Sequence, residues 1–254
     1  MFLFISRRKF IRTVIAPFIL FFFFQTAQGG TFQVNPIRIK LSPQSSTALL
    51  TIRNDSTENV RFQIEAFAWS QKQDGEMVLN PTDEIIFYPT LLSVEPGTER
   101  KVRVGTSNPA VAVEKTYRIF IAELPPADQT RINGIRMLTR MGVPIFIQPS
   151  KGEVRGQISR IGVHEMNFSF ELKNEGNIHF FPRAVRVKGF GSKGETYIAQ
   201  DLQSWYVLAG GSRQYRLELP EESCHQIHTF AVEVEVDDKV LKESFRLPTN
   251  ACGQ

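Results

Sequence analysis

The chain has 254 residues, of which 42% are hydrophobic, with 30 basic and 26 acidic side chains. This composition excludes a disordered chain, a collagen-like chain and a multi-pass membrane protein. The formal charge of +4 arises in residues 1–30, which hold four bases and no acid. The remaining 26 bases and 26 acids balance, so the charge gives no reason to expect nucleic acid as a partner.

Residues 1–30 have the pattern of an export signal. A basic segment that includes Arg7, Arg8 and Lys9 precedes an apolar run, residues 13–24, and small residues follow. A membrane span needs about 20 apolar residues, so we expect cleavage near residue 30 rather than a retained anchor. The general secretory route and the twin-arginine route both remain open. Either one predicts a periplasmic protein.

From Thr31 onward, apolar residues recur with a period of two, as in Val60, Phe62 and Ile64. This period is typical of half-buried β-strands, and clusters of Gly, Asn, Asp and Pro separate the runs. We predict an all-β chain of two immunoglobulin-like β-sandwich domains. The polar, Pro- and Gly-bearing residues 148–152 predict the boundary, with one domain at 31–149 and the other at 150–254.

The first strand contains a change of phase. Phe32 and Val34 share one parity, Ile39 and Leu41 share the other, and Pro36 stands between them. Since a shift of one residue moves side chains to the opposite face of a sheet, we expect this strand to leave one sheet and cross to the other.

The two cysteines of the chain, Cys224 and Cys252, predict one disulfide bond in an oxidising compartment. It would close a loop of about 28 residues and contribute roughly 3 kcal/mol on the loop-entropy model. A metal site is the alternative, because His225 and His228 lie close to Cys224. The strand-like residues that follow argue against it, and we expect no metal.

Residues 135–147 alternate apolar side chains over thirteen positions. A strand of that length spans roughly 43 Å, longer than typical strands. Pro144 and the place at the end of the first half predict an edge strand. A long apolar edge promotes aggregation unless a partner covers it. Either a second polypeptide pairs with this edge, or the strand is buried in its own domain or divides at residues 142–144.

Several segments occur in a recognisable order over the length that follows residue 30. They are residues 36–41, which include Arg38, the turn at 92–97, residues 117–126, the long strand that ends at Pro149, and residues 172–179. In this order they resemble the PapD-like periplasmic chaperones of chaperone–usher pilus assembly. The resemblance implies two immunoglobulin-like domains in an L-shaped arrangement, without a cofactor or a small-molecule substrate.

The resemblance also implies a function. Such a chaperone lends alternate apolar residues of its long edge strand to a pilus subunit that lacks a strand, by donor-strand complementation, until an outer-membrane usher exchanges it. The donor residues expected here are Ile135, Met137, Met141 and Val143.

Two basic residues in such chaperones hold the C-terminal carboxylate of the subunit. Arg38 matches the first, and a guanidinium group suits a carboxylate because it donates two parallel hydrogen bonds. Pro144 occupies the position where the second base, a lysine, is usual. Arg118 and Arg140 are the candidates for this role. Arg118 is favoured because its surroundings resemble a divergent, Csu-type branch of the family.

Other classes of protein have less support. Residues 189–194 match G-x-G-x-x-G, but no helix pattern follows, so we interpret them as a turn rather than a nucleotide site. We expect no enzyme and no catalytic residue. The main alternative is a secreted two-domain immunoglobulin-like adhesin or pilus structural component, which would share the fold, the signal and the disulfide.

Overall fold

The computed structural model describes residues 32–126, 137–248 and 252. Its first two sheets face each other and use the strands before residue 148. One sheet has the order β1-β3-β8-β6, and the other has the order β2-β10-β9-β4-β5, with β7 also paired to β4. The strands are β1 (Phe32–Asn35), β2 (Ile39–Leu41), β3 (Thr47–Asn54), β4 (Val60–Gln71), β5 (Met77–Pro81), β6 (Ile85–Tyr88), β7 (Leu91–Val94), β8 (Glu99–Thr106), β9 (Lys115–Glu123) and β10 (Arg140–Ile147).

The remaining strands form a second pair of sheets, with the orders β11-β12-β15 and β14-β13-β16-β17. They are β11 (Gly156–His164), β12 (Asn167–Asn174), β13 (Ala184–Phe190), β14 (Thr196–Asp201), β15 (Ser212–Glu218), β16 (Thr229–Val236) and β17 (Lys239–Arg246), and one short helix, α1 (Glu221–Gln226), precedes β16. The all-β class and the two sandwiches are therefore confirmed. The division at residues 149–150 stays a prediction.

Each sandwich buries the apolar parity of its own strands. In the first, Leu50, Ile52 and Val104 of one sheet pack against Ile119 and Ile121 of the other, and all five side chains are fully buried. Burying one such side chain stabilises the fold by about 1.5–3 kcal/mol relative to leaving it in water. The period-two pattern of the sequence thus marks the residues that hold the two sheets together.

The crossing of the first strand is confirmed. β1 pairs antiparallel with β3 in one sheet, whereas β2 pairs parallel with β10 in the other. The break between them, around Pro36, lets Phe32 and Ile39 both point into the core despite their opposite parity. It also leaves Ile37 exposed and places Arg38 directly before β2.

Each of the two sandwiches has a buried asparagine at the end of a strand. The amide of Asn54 donates to the carbonyl oxygens of Glu58 and Val94, at 2.7 and 2.8 Å. The amide of Asn174 donates to Ile178 and Val207, at 2.8 and 3.1 Å. Each asparagine thereby ties the turn that follows its strand to a second, distant segment of the same sandwich, through Val94 in one case and Val207 in the other.

The end of the chain is joined to the second sandwich by a disulfide bond between Cys224 and Cys252. Because Cys224 is bonded in this way, its sulfur is not a free thiolate that could hold a metal. Helix α1, which carries Cys224, was not expected from the sequence, since six residues are too few to show a helical period. Among the described residues, no helix is long and apolar enough to cross a membrane.

Candidate functional site

Strand β10 is half covered and half open. All eight of its residues pair antiparallel with β9, but only residues 145–147 pair with β2 on the other side. Within the described chain, residues 140–144 have no strand partner on that side. The strand is shorter than the thirteen residues expected and does not divide at residues 142–144. Because β2 runs parallel to β10 and starts at Ile39, opposite Ile145, the open edge is the part of β10 that precedes Ile145.

The expected donor residues lie in different environments. Met137 precedes β10 and is 85% exposed, whereas Val143 is 1% exposed and belongs to the core of its own sandwich. Met141 is half-buried against the same core, and Ile135 lies outside the described residues. The structure therefore presents Met137 to solvent and does not bring Val143 to the surface.

Arg38 and Arg118 flank Pro144 from opposite sides. Arg118 on β9 is the register partner of Pro144. Arg38 immediately precedes Ile39, whose register partner Ile145 immediately follows Pro144. Neighbours across a sheet share a face, so β10 brings together two bases that are 80 positions apart in the chain.

Tyr206 of the second sandwich contacts Arg38. The guanidinium Nη2 of Arg38 donates a hydrogen bond of 3.0 Å to the hydroxyl oxygen of Tyr206. The Tyr206 ring stands edge-on to Trp69, with centroids 5.4 Å apart, and lies 5.8 Å from the Phe146 ring. Arg38 and Arg118 therefore lie in a cleft between the two sandwiches, and sequence reasoning did not identify Tyr206 as part of it.

Arg118 is a half-buried cation that has no carboxylate partner in the part of the chain that the structure describes. Its guanidinium lies 4.5 Å from the centroid of the Trp69 ring and 5.9 Å from that of Trp205. Its Nε is buried and has no acceptor among the described residues. Burial lowers the pKa of Arg118, and the neighbouring Tyr206 opposes this effect. A buried donor without an acceptor is costly, so this side of the cleft favours an anionic ligand.

Arg140 is in a different situation from the other two arginines. Its guanidinium stacks on Phe120, 3.9 Å from the ring centroid, and forms a 3.4 Å ion pair with Glu65. Gly142 makes room for this stack, because a Cβ at that position would lie 2.8 Å from the Phe120 ring. Arg140 is thus four residues along the strand from Pro144 and already has a carboxylate of its own.

A buried polar cluster fixes the two sandwiches against each other beside the cleft. His179 Nδ1 and Glu114 Oε1 are 2.6 Å apart, and the two side chains are 7% and 0% exposed. The other carboxylate oxygen accepts a 3.0 Å hydrogen bond from Gln148. The His179 ring stacks on Phe146, with centroids 3.7 Å apart. Residues of both sandwiches therefore form a buried, hydrogen-bonded cluster at the base of the cleft.

Comparisons with known proteins bear on the family and the fold of the chain. Residues 31–153 match the family described as pili and flagellar-assembly chaperone, PapD N-terminal domain. No curated protein is significantly similar to the chain.

Solved structures of pilus chaperones resemble the whole two-sandwich arrangement. The class 5 fimbriae chaperone CfaA superposes with a TM-score of 0.57 at 13% identity, over 85% of this chain and 99% of that one. The complex of CsuC with the tip adhesion subunit CsuE from Acinetobacter baumannii gives 0.54 at 16%, over 86% and 98%. The SafB chaperone with the SafA pilin from Salmonella enterica gives 0.53 at 13%, over 84% and 96%. At these identities the likeness establishes the fold. Residues 31–153 are therefore similar to the N-terminal domain of the PapD family of pili and flagellar-assembly chaperones, and the two-domain fold of the chain is that of the solved pilus chaperones.

Proposed function

We propose that this protein is a periplasmic chaperone that binds an incomplete pilus subunit by adding its β10 edge to the subunit and by holding the C-terminal carboxylate of the subunit at Arg38 and Arg118. The solved complexes of CsuC with CsuE and of SafB with SafA support a partner of this kind. In this proposal the usher of the outer membrane then takes over the subunit.

The open half of β10 supports strand addition. An edge strand offers unpaired N–H and C=O groups to a second chain, and these main-chain bonds provide affinity. An added strand must end its pairing before Ile145, because β2 occupies that side of β10 from Ile145 onward. Val143 and Met141 anchor the strand in its own core, while Met137 is free to enter the groove of a subunit. A finished structural module would cover such an edge, which favours the chaperone over the adhesin.

The single observation that carries the anchor is the buried Nε of Arg118 at the end of this open edge, which has no hydrogen-bond acceptor in the described ranges 32–126, 137–248 and 252. A carboxylate there would satisfy it and also receive bonds from Arg38, which has no ion pair among the described residues. Charge-assisted bonds of this type are about twice as strong as neutral ones. Arg118 is therefore preferred over Arg140 as the second anchor, because Arg140 is paired with Glu65.

The proposal is tested by co-expressing the full chain with a candidate pilin-like exported protein and purifying from the periplasm through a tag on the chaperone. We expect a one-to-one complex with the native chain and none with Arg38→Ala. The matched control is Arg53→Ala, since Arg53 is exposed, pairs locally with Asp55 and lies on the other sheet. Equal recovery of the subunit with Arg38→Ala and the native chain would contradict the anchor. Recovery of monomer alone, with every subunit equally stable without the chaperone, would contradict the function.

The proposed location has its own test. Cleavage near residue 30 is expected on export, and the mass of the protein recovered from the periplasm measures it. A protein that retains residues 1–30 would contradict this expectation.

A further inference from the structure

We propose that Tyr206 is a binding residue of the carboxylate site, so that the second sandwich supplies a third hydrogen-bonding group beside Arg38 and Arg118. This inference rests on the proposed function. It adds that the site is complete only when both sandwiches contribute to it.

The hydroxyl group of Tyr206 has one hydrogen-bonding role occupied and one open. Its oxygen accepts a hydrogen bond from Arg38. A phenol can accept and donate at the same time, and among the described residues none accepts a bond from this hydroxyl. The free proton therefore remains available to the same carboxylate oxygen atoms that Arg38 would bind.

The contact also restricts the motion of Arg38. Arg38 is an exposed side chain, and an arginine that is free to rotate loses rotamer entropy when a ligand immobilises it. The 3.0 Å bond to Tyr206 holds the guanidinium in place before the ligand arrives. Because Arg38 then loses less rotamer entropy on binding, the affinity rises without an additional contact with the ligand.

Tyr206 is itself held rigidly. The side chain is 9% exposed. Aromatic rings of both sandwiches surround it, namely Trp69, Phe146, His179, Phe181 and Trp205, with centroids 5.1–5.8 Å away. Because Trp69 and Phe146 belong to the first sandwich, the hydroxyl keeps a fixed position relative to Arg38 and Arg118.

The electrostatic surroundings agree with a shared site. The Trp69 and Trp205 rings each contact both Arg118 and Tyr206, and Tyr206 opposes the lowering of the pKa of Arg118 by burial. The hydroxyl group thus lies within electrostatic range of both guanidinium groups. A carboxylate that bridged the two arginines would meet the hydroxyl as well.

The test uses the intact protein and two synthetic probes that differ in one group. The probes are an N-acetylated pentapeptide of alternating threonine and valine with a free C-terminal carboxylate, and the same peptide with a C-terminal amide. The chain has two tryptophans, and both lie over Arg118, so their indole N–H signals in NMR titrations report on the cleft. The variant is Tyr206→Phe, which keeps the ring, and the control is Tyr88→Phe, at a tyrosine 78% exposed on β6.

We expect the native chain and Tyr88→Phe to bind the carboxylate peptide more tightly than the amide peptide. In Tyr206→Phe, the ratio of the two dissociation constants, which measures this preference, should fall about tenfold. If Tyr206 acted in packing alone, Tyr206→Phe would bind both peptides more weakly by the same factor, and that result would overturn the inference. An unchanged preference for the carboxylate peptide in Tyr206→Phe would also overturn it. The variant Arg38→Ala distinguishes a failure of the proposed anchor from a failure of the inference about Tyr206. If Arg38→Ala keeps the preference for the carboxylate peptide, the proposed carboxylate anchor is contradicted. If Arg38→Ala loses this preference and Tyr206→Phe keeps it, only the inference about Tyr206 is contradicted.

Discussion

At the scale of single residues, the same side chain has different uses in different surroundings. Arg118 and Arg140 both lie on the sheet that faces the cleft. Arg118 is half-buried between two tryptophans, and its Nε has no acceptor within the described chain, whereas Arg140 is exposed and paired with Glu65. The sequence identified both as candidates. It could not rank them by environment, because the groups that differ, Trp205 and Glu65, are distant in the chain.

Substitution of the two arginines should separate these environments. We expect Arg118→Ala to reduce subunit capture at least tenfold, since a charge-assisted bond in a buried site contributes about 1.5–3 kcal/mol. Arg140→Ala should change capture less than threefold and the free energy of unfolding by less than about 1 kcal/mol, because exposed ion pairs contribute little. Titration of each purified variant with a subunit measures the first quantity, and urea unfolding measures the second. Stronger loss of capture in Arg140→Ala than in Arg118→Ala would reverse the assignment.

At the scale of elements, β10 shows what alternation can and cannot predict. Met141, Val143 and Ile145 share one parity of the alternating pattern, and in the structure that parity lines the core of the first sandwich. The extent of the free edge was not predictable, because it depends on three parallel pairs with β2. The three pairs between β2 and β10 form because the break around Pro36 turns the chain toward β10. The alternatives of an edge strand and a buried strand are thus both realised, in different halves of one element.

Met137 and Val143 should respond to truncation in opposite ways. Met137→Ala should weaken subunit capture severalfold and leave the free energy of unfolding within about 0.5 kcal/mol, as expected for an exposed side chain. Val143→Ala should lower that free energy by about 2 kcal/mol, because it leaves a cavity in the core, with little direct effect on capture. Unfolding in urea and a binding titration test the pair. Val143 would be a donor residue, contrary to its burial, if its truncation reduced capture more than that of Met137.

At the scale of the whole molecule, the arrangement of the two sandwiches determines the cleft. Glu114 of the first sandwich and His179 of the second form a buried pair. The Phe146 ring stacks on His179 and lies beside Tyr206, and the His179 and Tyr206 ring centroids are themselves 5.5 Å apart. The two sandwiches could be predicted from the strand pattern. Their contact could not, since Glu114, His179 and Tyr206 have no periodicity that marks an interface.

Removal of one member of this pair should therefore be costly. Glu114→Ala leaves His179 without its partner, and we expect the free energy of unfolding to fall by about 3–5 kcal/mol, as for other broken buried pairs. Glu76→Ala is the matched control, because the Lys72–Glu76 pair is exposed and should contribute less than about 1 kcal/mol. Urea unfolding of both variants provides the comparison. An equal, small effect in both would show that Glu114 and His179 do not fix the sandwiches together.

Hydrogen–deuterium exchange of the free protein and of its complex with a subunit would show directly where the partner binds. If the β10 edge accepts a strand, the amides of residues 137–143 should exchange more slowly in the complex, while those of β6 on the other sheet should not change. Slower exchange that spared residues 137–143 and appeared elsewhere would contradict subunit binding by strand addition at β10.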